Sequence, residues 1–379
     1  MSAVPLSILD LAPISSGMTA AEAYRNTVDL AVNAEQWGYR RYWVAEHHLT
    51  PGVASSVPAL LIAQVAAATQ RIRVGSGAMQ MGHQTALSVV EQFGFLDALF
   101  PGRIDLGLGR SGQKRNQALK REAASERGSQ PRREAQVVDG LLIPAPFSYA
   151  GLLTSPWFSV MASLLQQPGA QTPEFAEQVD DVLGLLQGTY KSPRGIAGHA
   201  LPGEDAAVEV WIFGSSGGES AKVAGERGLR FAANYHVSPA TVLDAVTAYR
   251  RAFQPSPSLA EPYVAVSADV VVADDDERAR DLASPYSVWV RSIRRGEGAM
   301  QFPSPAEAAE HDWTDEDRRM VADRVDTQFV GSPATVAERL RVLQAATGAD
   351  EIVVTTITHA HADRVRSCEL LAREWGLTA

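Results

Sequence analysis

Short β-branched runs alternate along the chain with amphipathic stretches of helical spacing, the pattern of successive βα units around a parallel sheet. Val4 to Leu11 predicts a first strand. Thr19 and Glu22 then form a T-x-x-E capping box, Tyr24, Val28 and Ala31 recur at helical spacing, and Gly38 closes the helix. Strands follow around Tyr39 to Ala45, Ile72 to Gly77 and Ile104 to Leu108, separated by helices around Val57 to Thr69 and Leu87 to Leu99. The rhythm resumes with strands at Val208 to Phe213, Leu229 to Asn234 and Tyr263 to Val272, with helices around Glu219 to Arg227 and Pro239 to Phe253. Near the end, Ser332 as N-cap, Pro333 at the first helical position and Gly348 as terminator bracket a helix. Its apolar residues Val336, Leu340 and Leu343 recur at i, i+4 and i+7. A strand over Glu351 to Ile357 and a helix from about His361 to Trp375 complete the series. Eight strands predict an α/β fold, a (β/α)8 TIM barrel spanning residues 1–379 as a single domain, rather than an open sheet.

Two stretches break the rhythm, at about 111–201 and 283–328. Both are read as insertions that follow strands, which puts them on the C-terminal face of the barrel, where loops build active sites. Within the first, Leu141 to Pro173 carries no charged residue, but Pro144, Pro146, Gly151 and Pro156 interrupt it. It is expected to form a buried or lid-forming excursion, since a membrane span needs an unbroken apolar helix. Thr172 to Leu186 reads as helical, with Phe175, Val179, Val182 and Leu186 on one side.

Composition narrows the partners. The chain is 45% hydrophobic and 21% charged with a formal net charge of −10, which disfavours an electrostatic grip on nucleic acid or an anionic membrane and leaves a small-molecule substrate as the expected partner. Cys368 is the sole cysteine, so no intramolecular disulfide forms, and the N-terminus lacks a basic region ahead of its apolar run. A cytoplasmic location is expected.

Chemistry concentrates at strand ends. Glu46, His47 and His48 follow the second strand in RRYWVAEHH, so at least one of the three side chains is expected to face the barrel mouth. An imidazole of near-neutral pKa there suits proton transfer, although a paired histidine is as readily structural. No further ligand cluster stands out along the chain, so no metal is expected. Gly107, Gly109, Arg110 and Ser111 follow the fourth strand in IDLGLGRSG: the glycines permit close approach of a ligand, and Arg110 offers a planar fork for phosphate. Ser215, Ser216, Gly217, Gly218 and Ser220 lie between the fifth strand and its helix, where free N–H groups and the helix dipole favour an anion; an ordinary N-cap would look the same. Together these residues point to a phosphate-bearing cofactor laid across a barrel mouth, with a histidine near its reactive end. Aldolases and isomerases on barrels would also satisfy that description.

The blocks RYWVAEHH, RIRVGSGAM, PGRIDLGLGR, GSPATVAERL and THAHADRVRSCELLA resemble those of the bacterial luciferase-like flavin monooxygenases, in order and through nearly the whole chain. The resemblance implies a barrel that binds reduced FMN at its C-terminal mouth, usually as a homodimer, with a separate flavin reductase as partner. It implies oxygenation of an apolar organic substrate by way of a flavin C4a-peroxide. Matched by position, His47 falls on the family's acid/base histidine, with Glu46 and His48 as the neighbouring candidates. Arg110 falls on its flavin-phosphate arginine, and the Ser216 to Ser220 turn falls on the second phosphate contact. Gly77 and Ala78 match the strand end beneath the flavin ring, in the family often a non-proline cis peptide. The chain departs from the family after Arg110, reading Ser111, Gly112, Gln113, Lys114, and in MQMGHQTA, where His83 is either a substrate contact or a loop residue. The Phe147 to Leu165 segment is longer than in the family, and its Trp157, Phe158 and Met161 would cap a hydrophobic substrate. Coenzyme F420 with hydride transfer, or flavin binding without turnover, are the alternatives the same resemblance allows.

Overall fold

A computed structural model describes residues 4–110, 134–148 and 155–378. In chain order its strands are β1 (Leu6–Asp10), β2 (Arg41–Val44), β3 (Arg73–Ser76), β4 (Met79–Gln80), β5 (Ile104–Gly109), β6 (Gln136–Val138), β7 (Leu141–Ile143), β8 (Glu209–Gly214), β9 (Arg230–Asn234), β10 (Val264–Val272), β11 (Phe329–Gly331) and β12 (Glu351–Thr355). Eight of these close on themselves in the order β1, β2, β3, β5, β8, β9, β10, β12, every pairing parallel, with β12 returning to β1 through Leu6↔Ile352 and Ile8↔Val354. The chain is a TIM barrel. The short β4 pairs with the end of β5, and β11 with the end of β10.

Among the described residues, strand alternation sorts most barrel side chains into two apolar clusters, with a small third one where β10 ends. Outward residues such as Ile8, Val44, Ile212 and Val266 pack under the helices, while Leu9, Trp43, Trp211, Ala232 and Val353 fill the barrel itself. Below this inner layer lies a charged one: Arg41 reaches Asp105 at 2.8 Å, Glu209 at 2.9 Å and Glu351 at 3.2 Å, and Arg73 reaches Asp105 at 2.7 Å. Burial works against the Arg41 charge, but the three surrounding carboxylates outweigh it and hold the guanidinium above its ordinary range. Trp43 Nε1 donates to Asp105 at 2.9 Å, and its ring meets Trp211 edge-on at 4.9 Å and Phe213 at 5.2 Å. These rings form the floor of the mouth.

The helices are α1 (Ala20–Gln36), α2 (Pro58–Ala68), α3 (Ala86–Leu99), α4 (Pro156–Leu165), α5 (Phe175–Leu186), α6 (Glu219–Glu226), α7 (Val242–Ala252), α8 (Asp276–Ala283), α9 (Tyr286–Arg294), α10 (Pro305–Ala309), α11 (Asp315–Val325), α12 (Pro333–Thr347) and α13 (His361–Trp375). Local signals explain their ends. The Thr19–Glu22 capping box forms, and α12 buries Val336, Leu340 and Leu343 before stopping at Gly348 in the left-handed region, φ 61°. Ser332 behaves differently from expectation: its hydroxyl pairs with Thr335 Oγ1 at 2.9 Å instead of capping the backbone.

Both irregular stretches are reshaped. The first contains α5, which packs on α3 as a barrel helix, and its Ser111 to Lys114 reading lies outside the described residues. The second does not follow a strand directly, because α8 intervenes after β10. It nonetheless returns to the mouth: Gly52 N–H donates to Ala299 O at 2.8 Å, and Phe302 N–H to Ile14 O at 2.8 Å. The Phe147 to Leu165 segment meets this second stretch, with Arg294 over the Phe147 ring at 3.9 Å and Trp157 against Gly298. Met161 is half-buried in α4, and the Phe158 side chain lies outside the described set. Among the described residues no helix is long and apolar enough to cross a membrane.

Candidate active site

β2 ends at Val44 and delivers Ala45, Glu46, His47 and His48 to the mouth, where the three candidates separate. The Glu46 side chain is buried. One of its oxygens accepts the Gln80 N–H at 2.5 Å; the other faces Nε2 of both His48 and His83 at 2.9 Å, with Gln84 Nε2 at 3.4 Å. Burial alone would raise this carboxyl, but the bonds from His48, His83 and Gln80 win and draw it down to about 2. Glu46 is therefore an ionised organiser of the loop after β3, and the carbonyl of the same residue accepts Gln80 Nε2 at 2.5 Å. His83, left open between substrate contact and loop residue, is a partner of Glu46. The absence of a ligand cluster expected from spacing alone does not hold: Glu46, His48 and His83 bring one donor atom each within 4.8 Å of one another.

His47 stands apart from this network. Its main-chain N–H donates to Ser55 O at 2.9 Å, while ring atom Nδ1 is buried with no hydrogen-bond partner. Burial, reinforced by His48 and opposed by Glu46, pulls its pKa down to about 4 rather than near neutrality, so the ring is uncharged and a weak base at neutral pH. A second mouth histidine was not foreseen. His236 follows β9 by two residues, its Nδ1 lies 2.5 Å from Ser267 Oγ, and burial, then the charges of Arg324 and His47, take its pKa to about 3. The strand-end rule that singled out His47 applies equally to NYH after β9 and would have found it. No local sequence pattern marks the Asp269, Tyr286 and Arg324 group, in which Arg324 from α11 reaches Asp269 at 3.3 Å and Tyr286 Oη at 2.6 Å.

Gly77 and Ala78 are joined by a cis peptide at the end of β3. A Cβ on Gly77 would lie 2.8 Å from Leu9 and 3.3 Å from Trp43 and Phe213, which puts this glycine directly on the floor. Gly107 has another purpose than ligand access. A Cβ there would lie 2.1 Å from Ser76 O, so the glycine lets β3 and β5 approach, and Ser76 Oγ exchanges hydrogen bonds of 3.0 Å with the Gly107 backbone. Gly109 is less crowded, with Ala78 Cβ at 3.4 Å.

Arg110, next after β5, forms an ion pair with Glu219, the first residue of α6, which joins the arginine to the Ser216 to Ser220 turn. Its Nε is buried and unpartnered. At the turn, Gly218 occupies the N-cap without any side-chain cap hydrogen bond, and the Thr241 hydroxyl holds the Ser215 carbonyl. Gly217 is needed because a Cβ would lie 2.9 Å from Asp244 O, whereas at Gly218 a Cβ would make only ordinary contact with Ser216 Oγ at 3.4 Å, and Ser220 is buried at the start of the helix. A guanidinium with an unused donor beside an uncapped helix N-terminus is a fit for a phosphate.

The sequence profile of the luciferase-like monooxygenases matches residues 4–351. A Bacillus subtilis (strain 168) protein, YvbT, is 37% identical over 375 residues, covering 98% of this chain and 96% of its own length. A luciferase-like monooxygenase of Escherichia coli (strain K12) is 33% identical over 370 residues, covering 97% of this chain and 96% of its own. Among solved structures, apo-MsnO8 superposes with a TM-score of 0.77 at 28% identity, covering 99% of this chain and 98% of that one. The oxygenating constituent of 3,6-diketocamphane monooxygenase from Pseudomonas putida, in complex with FMN, shares the fold, with a TM-score of 0.60 at 20% identity over 98% of this chain and 97% of that one.

Proposed function

The chain belongs to the luciferase-like monooxygenase family, and on that premise we propose that it oxygenates an apolar organic substrate with reduced FMN and O2. The observation that carries the proposal is Arg110, with its unpartnered Nε, set against the uncapped N-terminus of α6. Arg110, Ser216, Gly217, Gly218 and Ser220 would hold the FMN phosphate, and Gly77 and Ala78 would lie under the ring. Reduced FMN, when bound, supplies the electrons that activate O2.

The protein's own residues do the rest. The Trp43, Trp211 and Phe213 floor excludes water from below, and the segment carrying Trp157 and Met161 covers the substrate from above. His47, uncharged and with a free Nδ1, accepts and returns a proton, with His236 as a second uncharged imidazole in the same mouth. Glu46 and His48 position the β3 loop. A separate flavin reductase supplies the reduced cofactor in the cytoplasm. The chain works as a homodimer through the exposed apolar faces of α2 and α3, where Val57, Leu60, Leu87, Phe95 and Leu99 point outward.

Anaerobic titration with reduced FMN, oxidised FMN and F420, followed by oxygen uptake with a panel of apolar substrates, tests the reading. Reduced FMN should bind and substrate should gain one oxygen atom from O2. Tight F420 binding without reduced-FMN binding would overturn it in favour of hydride transfer, and FMN binding without any oxygen uptake would leave a flavin carrier.

A further inference from the structure

The buried carboxylates of this fold are balanced by arginine in most places: Asp10 by Arg364, Asp105 and Glu351 by Arg41, Asp269 by Arg324. Glu46 is as deeply buried, and among the described residues no arginine or lysine pairs with it; its ion-pair partners are the imidazoles of His48 and His83. A buried carboxylate requires either several hydrogen bonds or a compensating cation.

The arrangement around it is convergent rather than sequential. Gln80 fixes the carboxylate through one oxygen and leaves the other facing both Nε2 atoms at 2.9 Å. The two rings stand 5.0 Å apart at 85°, so their nitrogens approach the same oxygen from different directions. The histidine side chains keep 17% and 10% exposure, which gives an ion and its water a way in, while the carboxylate keeps none.

We propose that Glu46 Oε1, His48 Nε2 and His83 Nε2 form a binding site for one divalent transition-metal ion, Zn2+ or its spectroscopic stand-in Co2+. Two imidazoles and a carboxylate are the donor set such ions prefer, and a separation of 2.9 Å between donor atoms needs only a modest opening to admit metal bonds of about 2.0–2.2 Å. The lone pair of each Nε2 turns to the ion and each ring proton resides on Nδ1. Open positions on the ion are filled by water. The site uses neither Arg110 nor His47, and it shares Glu46 and His48 with the packing of the loop after β3.

The test uses full-length protein without a polyhistidine tag, stripped with chelator and free of flavin. Co2+ titration should give one bound equivalent at micromolar concentration with visible d–d bands, displaced by Zn2+. His83→Ala and His48→Ala should each weaken binding by at least about 100-fold, with circular dichroism confirming the fold. If an alanine variant does not fold, Glu46→Gln, which keeps the shape of the side chain, should show the same loss. Absence of Co2+ and Zn2+ binding by calorimetry overturns the proposal, and so does binding that His83→Ala and Glu46→Gln leave unchanged. Because no flavin is present, either outcome is read separately from the assay of oxygen transfer.

Discussion

Arg110 and Glu219 form an ion pair between the end of β5 and the first turn of α6. The carboxylate thus lies where a ligand phosphate would compete for the same guanidinium. Arg110→Ala should weaken FMN far more than riboflavin, by about 1.5–3 kcal/mol, the worth of a charge-assisted hydrogen bond. Glu219→Gln should act in the opposite sense and tighten FMN severalfold while leaving riboflavin alone. Anaerobic calorimetry measures both, and equal losses for the two flavins in Arg110→Ala would locate the phosphate elsewhere.

His47→Ala should leave folding and most FMN affinity intact while lowering product formation by about 10²–10⁴-fold, with the consumed O2 released as H2O2. The control is its neighbour. His48 is tied to Glu46 at 2.9 Å, so His48→Ala should act through the β3 loop and affect binding and turnover together. A selective loss in His48→Ala, with His47→Ala close to wild type in product yield, would reverse the assignment.

Stability should fall on acidification. Burial is the main cause that depresses His47 to about 4 and His236 to about 3, against 6.5 for a free imidazole. Between those values the unfolded chain binds protons that the folded chain refuses. The stability these histidines contribute is therefore present above pH 6.5 and is lost as pH falls toward the folded values. Melting temperature against pH for wild type, His47→Gln and His236→Gln should show shallower acid slopes in the variants, a difference of order a few kcal/mol. Parallel slopes in all three proteins would exclude the linkage.

Phe95 and Leu60 are 55% and 68% exposed on neighbouring helices, and Leu99 continues the Phe95 face at 56%. Phe95→Glu should convert a dimer to a monomer at micromolar concentration without loss of helix content, as read by light scattering and circular dichroism. A monomeric wild type would remove the proposed interface.

The barrel was legible in the sequence because parallel strands covered on both faces read as dense apolar runs, and because capping at Thr19 and Gly348 is a local signal. The helix α13 runs from His361 to Trp375, as its spacing predicts. What the sequence hid are contacts between distant segments. His83 meets Glu46 across 37 positions, and Arg324 meets Asp269 across 55, distances at which no periodicity operates. His236 was missed for a different reason: a lone histidine after a strand lacks the emphasis of a doubled one. Gly107 was assigned to the ligand because a glycine records only that something comes close, and here that neighbour is Ser76.

The charged layer around Arg41 and the tryptophans above it divide the barrel along its axis. Strand pairing is locked at one end by Arg41, Arg73, Asp105, Glu209 and Glu351, while the mouth residues stand on loops beyond the aromatic floor. Substitutions in the mouth share few partners with the residues that hold the strands in register, so their effects on stability should add rather than compound. For an engineer or for natural selection, this makes the loops a workshop above a foundation: substrate preference can be recut there many times before the fold itself is put at risk.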